Sequence, residues 1–103
     1  QKNNCSCMIV DDGFQAIDIL DKEVFDVVMM EINMPLINGF ETTRKIRQNG
    51  VKTPIIALTA FAKDEIIEEA ISAGMNDIMV KPFEPLKLFK VITDQINKTR
   101  NAG

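Results

Sequence analysis

The amino-acid sequence predicts a single α/β domain built on an open parallel sheet with helices on both faces. Short apolar runs alternate along the chain with segments whose apolar residues recur at helical spacing. Two of the runs, 25–30 and 54–58, are almost continuously apolar, which is typical of strands covered on both faces. Strands and helices that alternate through short loops favour a parallel sheet over an antiparallel one.

The predicted strands are the short apolar runs. The first, CSCMIV, is suited to a strand, and PIIAL begins with Pro54, which is tolerated at a first strand position. In chain order, the predicted strands are 5–10, 25–30, 54–58 and 77–80.

The predicted helices are bounded by residues that commonly begin or end helices. Asp11 or Asp12 precedes the first helix, Gly50 and Gly74 follow the second and third, and Pro85 fits the first turn of the fourth. In chain order, the predicted helices are 13–23, 40–48, 63–73 and 85–99. Their expected inward positions include Phe14, Ile17 and Leu20 in the first helix, and Ile66, Ile67, Ala70 and Ile71 in the third.

Length and charge limit the classes of function. The 103 residues form one domain, 1–103, with a core expected from about 5 to 98. A net charge of −3 argues against a general nucleic-acid or membrane-surface binder, but it leaves a local basic patch open. No apolar run approaches the ~18 residues of a membrane span, so we expect a cytoplasmic protein.

Cysteine and histidine content narrows the chemistry. Cys5 and Cys7 form a C-x-C that could be half of a metal or redox site, but we interpret them as small apolar fillers in a reduced protein. The chain has no histidine, which excludes Ser-His and Cys-His nucleophile pairs and means that the chain is not itself a histidine phosphodonor.

Three polar residues follow the ends of three predicted strands. Glu31 comes after FDVVMM, Thr59 after PIIAL and Lys81 after DIMV. Ligands of parallel sheets bind at the carboxyl ends of the strands, so we expect these side chains to meet at one edge. Taken singly, each residue has an ordinary explanation: a solvated Glu31, a Thr59 that caps the next helix, and a surface-exposed Lys81. Together, a carboxylate, a hydroxyl and an ammonium describe a phosphoryl site, because phosphoryl transfer needs mainly positioning and charge stabilisation.

These residues lie in segments that resemble the receiver domains of two-component response regulators and hybrid histidine kinases. The matching segments are GFQAIDIL, FDVVMMEINMPLINGFETTRKIR, TPIIALTAFA and EEAISAGMNDIMVKPF, and the resemblance covers roughly residues 5–98. It implies a flavodoxin-like (CheY-like) sheet. It also implies a role in phosphorelay signal transduction, within a response regulator or a hybrid sensor histidine kinase.

The resemblance implies a role for each site residue. Glu31 stands at the phosphoacceptor position, and Asn33 stands where a backbone carbonyl helps to hold Mg²⁺. Thr59 matches the hydroxyl that turns toward the phosphoryl group, Ala60 the small residue beside it, and Lys81 the ammonium partner. The Lys81–Pro82 bond corresponds to one that is usually cis in receivers. The implied cofactor is Mg²⁺, bound through Glu31 and Asn33, and the implied partner is a histidine kinase or a histidine phosphotransfer domain.

The sequence departs from the family at the acceptor and at Ile78. Glu31 replaces the usual Asp, and its extra methylene displaces the carboxylate from the geometry that transfer requires. The longer side chain could instead reach Thr59 and Lys81 and imitate the phosphorylated state. Ile78 stands where many receivers have an aromatic residue that rotates on activation.

A further departure is that the predicted elements do not include the first strand and helix of a receiver. MIVDD could be the strand that ends in the magnesium-binding acidic pair. The distance from Gly13 to Glu31 instead favours CSCMIV as the family's second strand, with Asp11 and Asp12 as helix caps.

The missing strand would lie between CSCMIV and FDVVMM in the sheet. Either those two strands pair directly or another chain fills the gap, and the last helix then covers its face alone. An uncovered apolar face favours association, so a homodimer or a domain-swapped assembly is expected if this chain is the complete folded unit.

Three functions remain open from the sequence. The first is a receiver that accepts or mimics a phosphoryl group at Glu31. The second is a pseudo-receiver that cannot be phosphorylated and acts as an interaction module. The third is a small enzyme or nucleotide binder, which lacks support because no glycine-rich phosphate loop is present.

Overall fold

The computed structural model describes residues 6–81 and 85–102, in which four strands alternate with four helices. The strands are β1 (Cys7–Val10), β2 (Val27–Glu31), β3 (Ile55–Thr59) and β4 (Asp77–Val80). The helices are α1 (Gly13–Lys22), α2 (Gly39–Gln48), α3 (Asp64–Ala73) and α4 (Pro85–Ala102). The predicted order of elements is confirmed. Cys5, which was expected to begin the first strand, lies outside the described residues.

The four strands form one parallel sheet in the order β1-β2-β3-β4. The register pairs Val10 with Met30, and Thr59 with Val80. The strand at the start of the chain therefore pairs directly with β2, which is the first of the two arrangements expected from the sequence. All four strands run the same way, so their carboxyl ends share one edge of the sheet.

One face of the sheet is covered by α1, α2 and α3. Its core contains Val28 and Met30 from β2, packed with Phe40 and Ile46 from α2. Gly13 sets the distance between α1 and α2, because a Cβ added there would lie 2.2 Å from the Thr42 hydroxyl oxygen. The two helices therefore pack more closely than larger side chains would allow.

The opposite face is covered by α4, the one helix that packs there within the described part of the chain. Val91 and Ile92 of α4 pack against a cluster that includes Met29 and Leu58. Leu88 and Phe89 were also expected on this face, but their side chains lie outside the description. At the β1 edge of the same face, Ile9 is 68 % exposed. Among the residues that the structure describes, the β1 edge of this face is therefore left uncovered.

Arg47 of α2 ties together the two loops that lead into β3 and β4. Its guanidinium group donates hydrogen bonds to the backbone carbonyls of Val51 (3.0 Å), Thr53 (2.8 Å) and Gly74 (2.9 Å), and to the side-chain oxygen of Asn76 (3.0 Å). Burial lowers the pKa of Arg47 below its usual value, because desolvation disfavours the charged form. The hydrogen bonds compensate for that desolvation and fix the amino-terminal approaches to β3 and β4.

None of the helices described is both long enough and apolar enough to cross a lipid bilayer.

Candidate functional site

The carboxyl ends of β2, β3 and β4 bring three predicted site residues to one edge of the sheet. Glu31 is the last residue of β2, Thr59 is the last residue of β3, and Lys81 directly follows β4. Glu31 is in register with Leu58, the neighbour of Thr59. The backbone N–H of Lys81 donates to the backbone carbonyl of Thr59 at 2.8 Å. The three residues are therefore neighbours in space although they are far apart in sequence.

Glu31 and Lys81 form an ion pair at this edge. The Lys81 ammonium nitrogen lies 2.5 Å from each of the two carboxylate oxygens of Glu31. The side chains retain 26 % exposure for Glu31 and 42 % for Lys81, so solvent screens their attraction and its contribution to stability is small. The ion pair affects the reactivity of Glu31 more than it affects stability, because the ammonium already neutralises the charge of the carboxylate.

The Thr59 hydroxyl points into its own loop rather than toward this ion pair. It donates a hydrogen bond to the backbone carbonyl of Phe61 at 2.9 Å and accepts one from the Phe61 N–H at 3.3 Å. Thr59 is 8 % exposed, and within the described segments no hydrogen bond joins its hydroxyl to Glu31 or Lys81. The structure therefore brings together the acid and the amine, with the hydroxyl nearby but directed elsewhere.

The loop after Glu31 is held by backbone contacts that were not predicted from the sequence. Gly39 N–H donates to the Ile32 carbonyl at 2.8 Å, and a Cβ added at Gly39 would lie 2.6 Å from the Glu31 carbonyl oxygen. Only glycine allows the start of α2 to approach the acceptor position so closely. The Asn-Gly dipeptide at 38–39 was the available sequence signal, since such dipeptides mark turns.

A strained turn lies in the same loop. The Ile37 N–H donates to the Pro35 carbonyl at 2.8 Å, and the intervening Leu36 has a φ of 72°. A hydrogen bond between residues two apart, across a residue of positive φ, describes a γ-turn of the rarer and more strained kind. Asn33, where the family resemblance implies a magnesium-binding carbonyl, is exposed between Glu31 and this turn.

The donor groups present here do not match a magnesium site. The Asp12 carboxylate accepts a hydrogen bond from the Gln15 N–H at 3.1 Å and caps α1, and Asp11 beside it is exposed. The carboxylate of Glu31 is engaged by Lys81. Residues 6–81 and 85–102 contain no group of three or more acidic, cysteine or histidine side chains placed to hold a metal. Magnesium prefers several oxygen ligands in near-octahedral geometry, which this arrangement does not offer.

Two further expectations concern β4 and the residues after it. Ile78 is partly buried and packs against the core beneath the helices α1 to α3. The Lys81–Pro82 peptide bond was expected to be cis, but Pro82 lies outside the described residues.

Comparison with known proteins identifies the family. A family model described as the response regulator receiver domain matches residues 1–93. The transcription factor SKN7 of Candida albicans is 36 % identical over 95 residues, which is 92 % of this chain and 17 % of that protein. The sensor histidine kinase RcsC of Salmonella typhi is 33 % identical over 97 residues, which is 91 % of this chain and 10 % of that protein. The chain thus spans a small part of these relatives.

Solved structures agree with the family model. The receiver domain of a sensor histidine kinase from Pseudomonas aeruginosa PAO1, solved with a magnesium ion in its active-site cleft, is 28 % identical with a TM-score of 0.80, and the match covers 91 % of this chain and 99 % of that one. A Francisella response regulator receiver domain, at 21 % identity and a TM-score of 0.85, supports the fold alone; the match covers 93 % of this chain and 99 % of that one. By sequence and by fold, the chain belongs to the receiver domains of two-component systems.

Proposed function

We propose that this receiver domain works in a phosphorelay with Glu31 as a fixed mimic of the charged acceptor, and that it passes its signal through protein contacts. The observation that carries the proposal is the contact of the Lys81 ammonium with both carboxylate oxygens of Glu31, at 2.5 Å. In the family, the corresponding lysine pairs with the phosphoryl group. Here the longer acid places negative charge on that lysine without phosphorylation.

Mimicry fits the geometry better than phosphoryl transfer to Glu31 does. Attack by the Glu31 carboxylate would first require Lys81 to release at least one of its oxygens. It would also require charge stabilisation of the incoming phosphoryl group, which in related proteins comes from Mg²⁺ and an acidic pair. The donors gathered at this edge do not suit magnesium, so no step of the proposed function passes through the metal.

The proposed partner is a histidine kinase or a histidine phosphotransfer domain, met in the cytoplasm. Relatives of this chain include sensor histidine kinases, of which it spans about a tenth. Large apolar side chains stand exposed around the edge that holds the ion pair: Leu36 at 93 %, Phe61 at 69 % and Leu86 at 82 %. An apolar rim around a charged centre suits a docking helix whose apolar face surrounds a polar residue.

Intact-mass measurement after incubation with acetyl phosphate and Mg²⁺ tests the acceptor. We expect no mass gain for the wild-type chain, because Glu31 is engaged and the metal donors are not gathered. The Glu31→Asp variant is the matched comparison, and we expect it too to remain unmodified without an acidic pair. A stoichiometric phosphoryl adduct on Glu31 would show that the residue accepts rather than mimics.

A binding measurement tests the mimic itself. With a purified histidine phosphotransfer domain as the probe, we expect Glu31→Gln to change the affinity several-fold, and acetyl phosphate to leave wild-type binding unchanged. Equal affinity of the wild type and Glu31→Gln would mean that the charge at position 31 carries no signal. The domain would then act as an interaction module alone.

A further inference from the structure

A groove opens at the edge of the sheet opposite the site. Its volume is about 420 Å³, and it lies between the α1–β2 connection and the α2–β3 connection. The apolar lining comes from α1, from both connections and from α4: Leu20, Phe25, Val51, Pro54 and Ile96. Grooves of this size with a largely apolar lining are common binding sites in proteins. Neither the receiver fold nor the proposed function accounts for this one.

Both walls of the groove are held in place by hydrogen bonds. Arg47 fixes the α2–β3 wall through the carbonyls of Val51 and Thr53. The α1–β2 wall is fixed where the Asp26 carboxylate accepts a hydrogen bond from the Ser6 N–H at 2.9 Å. A groove with fixed walls loses little conformational entropy when it is filled, which favours binding.

The two walls carry opposite charges. Glu23 and Asp26 lie on the α1–β2 wall, and Lys52 lies on the α2–β3 wall. Among residues 6–81 and 85–102, neither Glu23 nor Lys52 takes part in an ion pair. Between the acidic residues stands Val24, which is 91 % exposed. The same surface therefore presents a groove, a projecting apolar side chain, an acidic wall and a basic wall.

We propose that this surface binds a second copy of the chain in a two-fold symmetric dimer. A two-fold axis that runs along the groove brings the acidic wall of one copy to the basic wall of the other, and each such contact then forms twice. The exposed Val24 of each acidic wall then lies within the interface. The surface is complementary in charge to a copy of itself, and this favours a second copy as the partner. A different protein would have to present an acidic and a basic group at the same spacing.

The dimer is expected to be weak. The surface consists of one groove and its rim, which is small against the roughly 1,200–2,000 Å² that specific stable complexes bury. Sedimentation equilibrium of the wild-type chain should therefore show monomer at about 10 µM and a rising share of dimer toward about 500 µM. A single monomeric species across that whole range overturns the proposal.

Charge reversal gives the sharper test. Glu23→Lys alone and Lys52→Glu alone each place like charges across the axis, so each variant should dimerise at least tenfold more weakly than the wild type. A one-to-one mixture of the two variants should associate again. In the mixed pair, each wall of one copy faces an opposite charge on the other. A mixture that stays as monomeric as its components contradicts the proposal.

Three other variants check the location of the interface. Val24→Ser should weaken the dimer at least tenfold, and the surface variant Lys45→Glu, outside the groove, should behave as the wild type. Ile9→Ser alters the uncovered part of the sheet and should leave the dimer intact. If Ile9→Ser dissociates the dimer while the charge reversals do not, the interface is the sheet face and the groove is excluded. Melting curves by circular dichroism confirm that each variant is folded.

Discussion

At the scale of single residues, Leu36 is in a conformation that its side chain disfavours. Its φ of 72° lies in the left-handed region, where a Cβ costs roughly 1–2 kcal/mol, and its 93 % exposure means that little packing compensates. A non-glycine residue that remains strained beside a candidate site suggests that its side chain is used there, as it would be in the apolar rim proposed to meet the partner.

Replacement of Leu36 by glycine should therefore stabilise the fold. We expect Leu36→Gly to raise the free energy of unfolding by about 0.5–1 kcal/mol, after the greater freedom of glycine in the unfolded chain is subtracted. Urea denaturation measures the change. Leu36→Ala is the matched control, since it removes the exposed side chain but keeps the Cβ, and it should leave stability unchanged. Equal gains from both variants would show that the strain is not in the backbone.

The sequence predicted that Glu31, Thr59 and Lys81 lie at one edge of the sheet, because that placement depends on strand ends alone. Parallel strands bring Glu31 and Lys81 to one edge whatever the loops do. The orientation of Thr59 could not be predicted in the same way, because it depends on a local hydrogen bond with Phe61. Side-chain hydroxyls of threonine often bond to nearby backbone, and the sequence does not distinguish that partner from a distant one.

At the scale of elements, Arg47 joins α2 to the loops that lead into β3 and β4. Its guanidinium reaches four acceptors at once: the carbonyls of Val51, Thr53 and Gly74 and the side-chain oxygen of Asn76. A lysine ammonium has three donors at a single point and cannot span them. Loss of these bonds would leave partly buried carbonyls without donors, which costs more than the loss of an exposed ion pair.

We therefore expect Arg47→Lys to lower the free energy of unfolding by about 2–3 kcal/mol. Arg44→Lys is the control, because Arg44 pairs with Glu69 on the exposed surface and should change stability by less than about 1 kcal/mol. Thermal and urea denaturation of the two variants side by side provide the measurement. Similar losses of stability from both variants would mean that the hydrogen bonds of Arg47 to the two loops stabilise the fold no more than an exposed ion pair does.

The inward faces of the helices were predicted less well than the helices themselves. Phe14 and Ile71 were expected to face the core, but they are 53 % and 68 % exposed. In α1 the buried residues are Gly13, Ala16 and Leu20, since the close approach to α2 favours small side chains in the contact. Apolar periodicity weights a residue by its hydrophobicity, so it cannot identify a face that is selected for small size.

At the scale of the whole molecule, the two faces of the sheet have unequal cover. Three helices pack on one face, and α4 alone packs on the other within the described segments. The sequence predicted this imbalance from the spacing between Gly13 and Glu31, which favours CSCMIV as the family's second strand rather than its first. It left open whether β1 would pair with β2 or leave a gap, since both arrangements satisfy the same apolar pattern.

Because α4 is the one described helix on the second face of the sheet, the stability of the molecule depends on the contacts of α4 with that face. Met29 and Leu58 are 2 % and 3 % exposed, and among the described side chains of α4, Val91 and Ile92 pack against their cluster. A carboxylate at position 92 would have to lie against this apolar face or detach the helix. We therefore expect Ile92→Asp to lower the free energy of unfolding by about 2–4 kcal/mol.

The same variant should affect the residues on the two faces of the sheet differently. If α4 detaches, amide hydrogen exchange should rise in β2 and β3, and binding of a hydrophobic dye should increase, while α1 and α2 keep their protection. Ile71→Asp is the control, because Ile71 is an exposed isoleucine on α3 and the same charge should be tolerated there. Equal protection of β2 in Ile92→Asp and the wild type would mean that the second face does not need α4. The exposed part of that sheet face would then be stable in the monomer, and it would not drive the association of two chains.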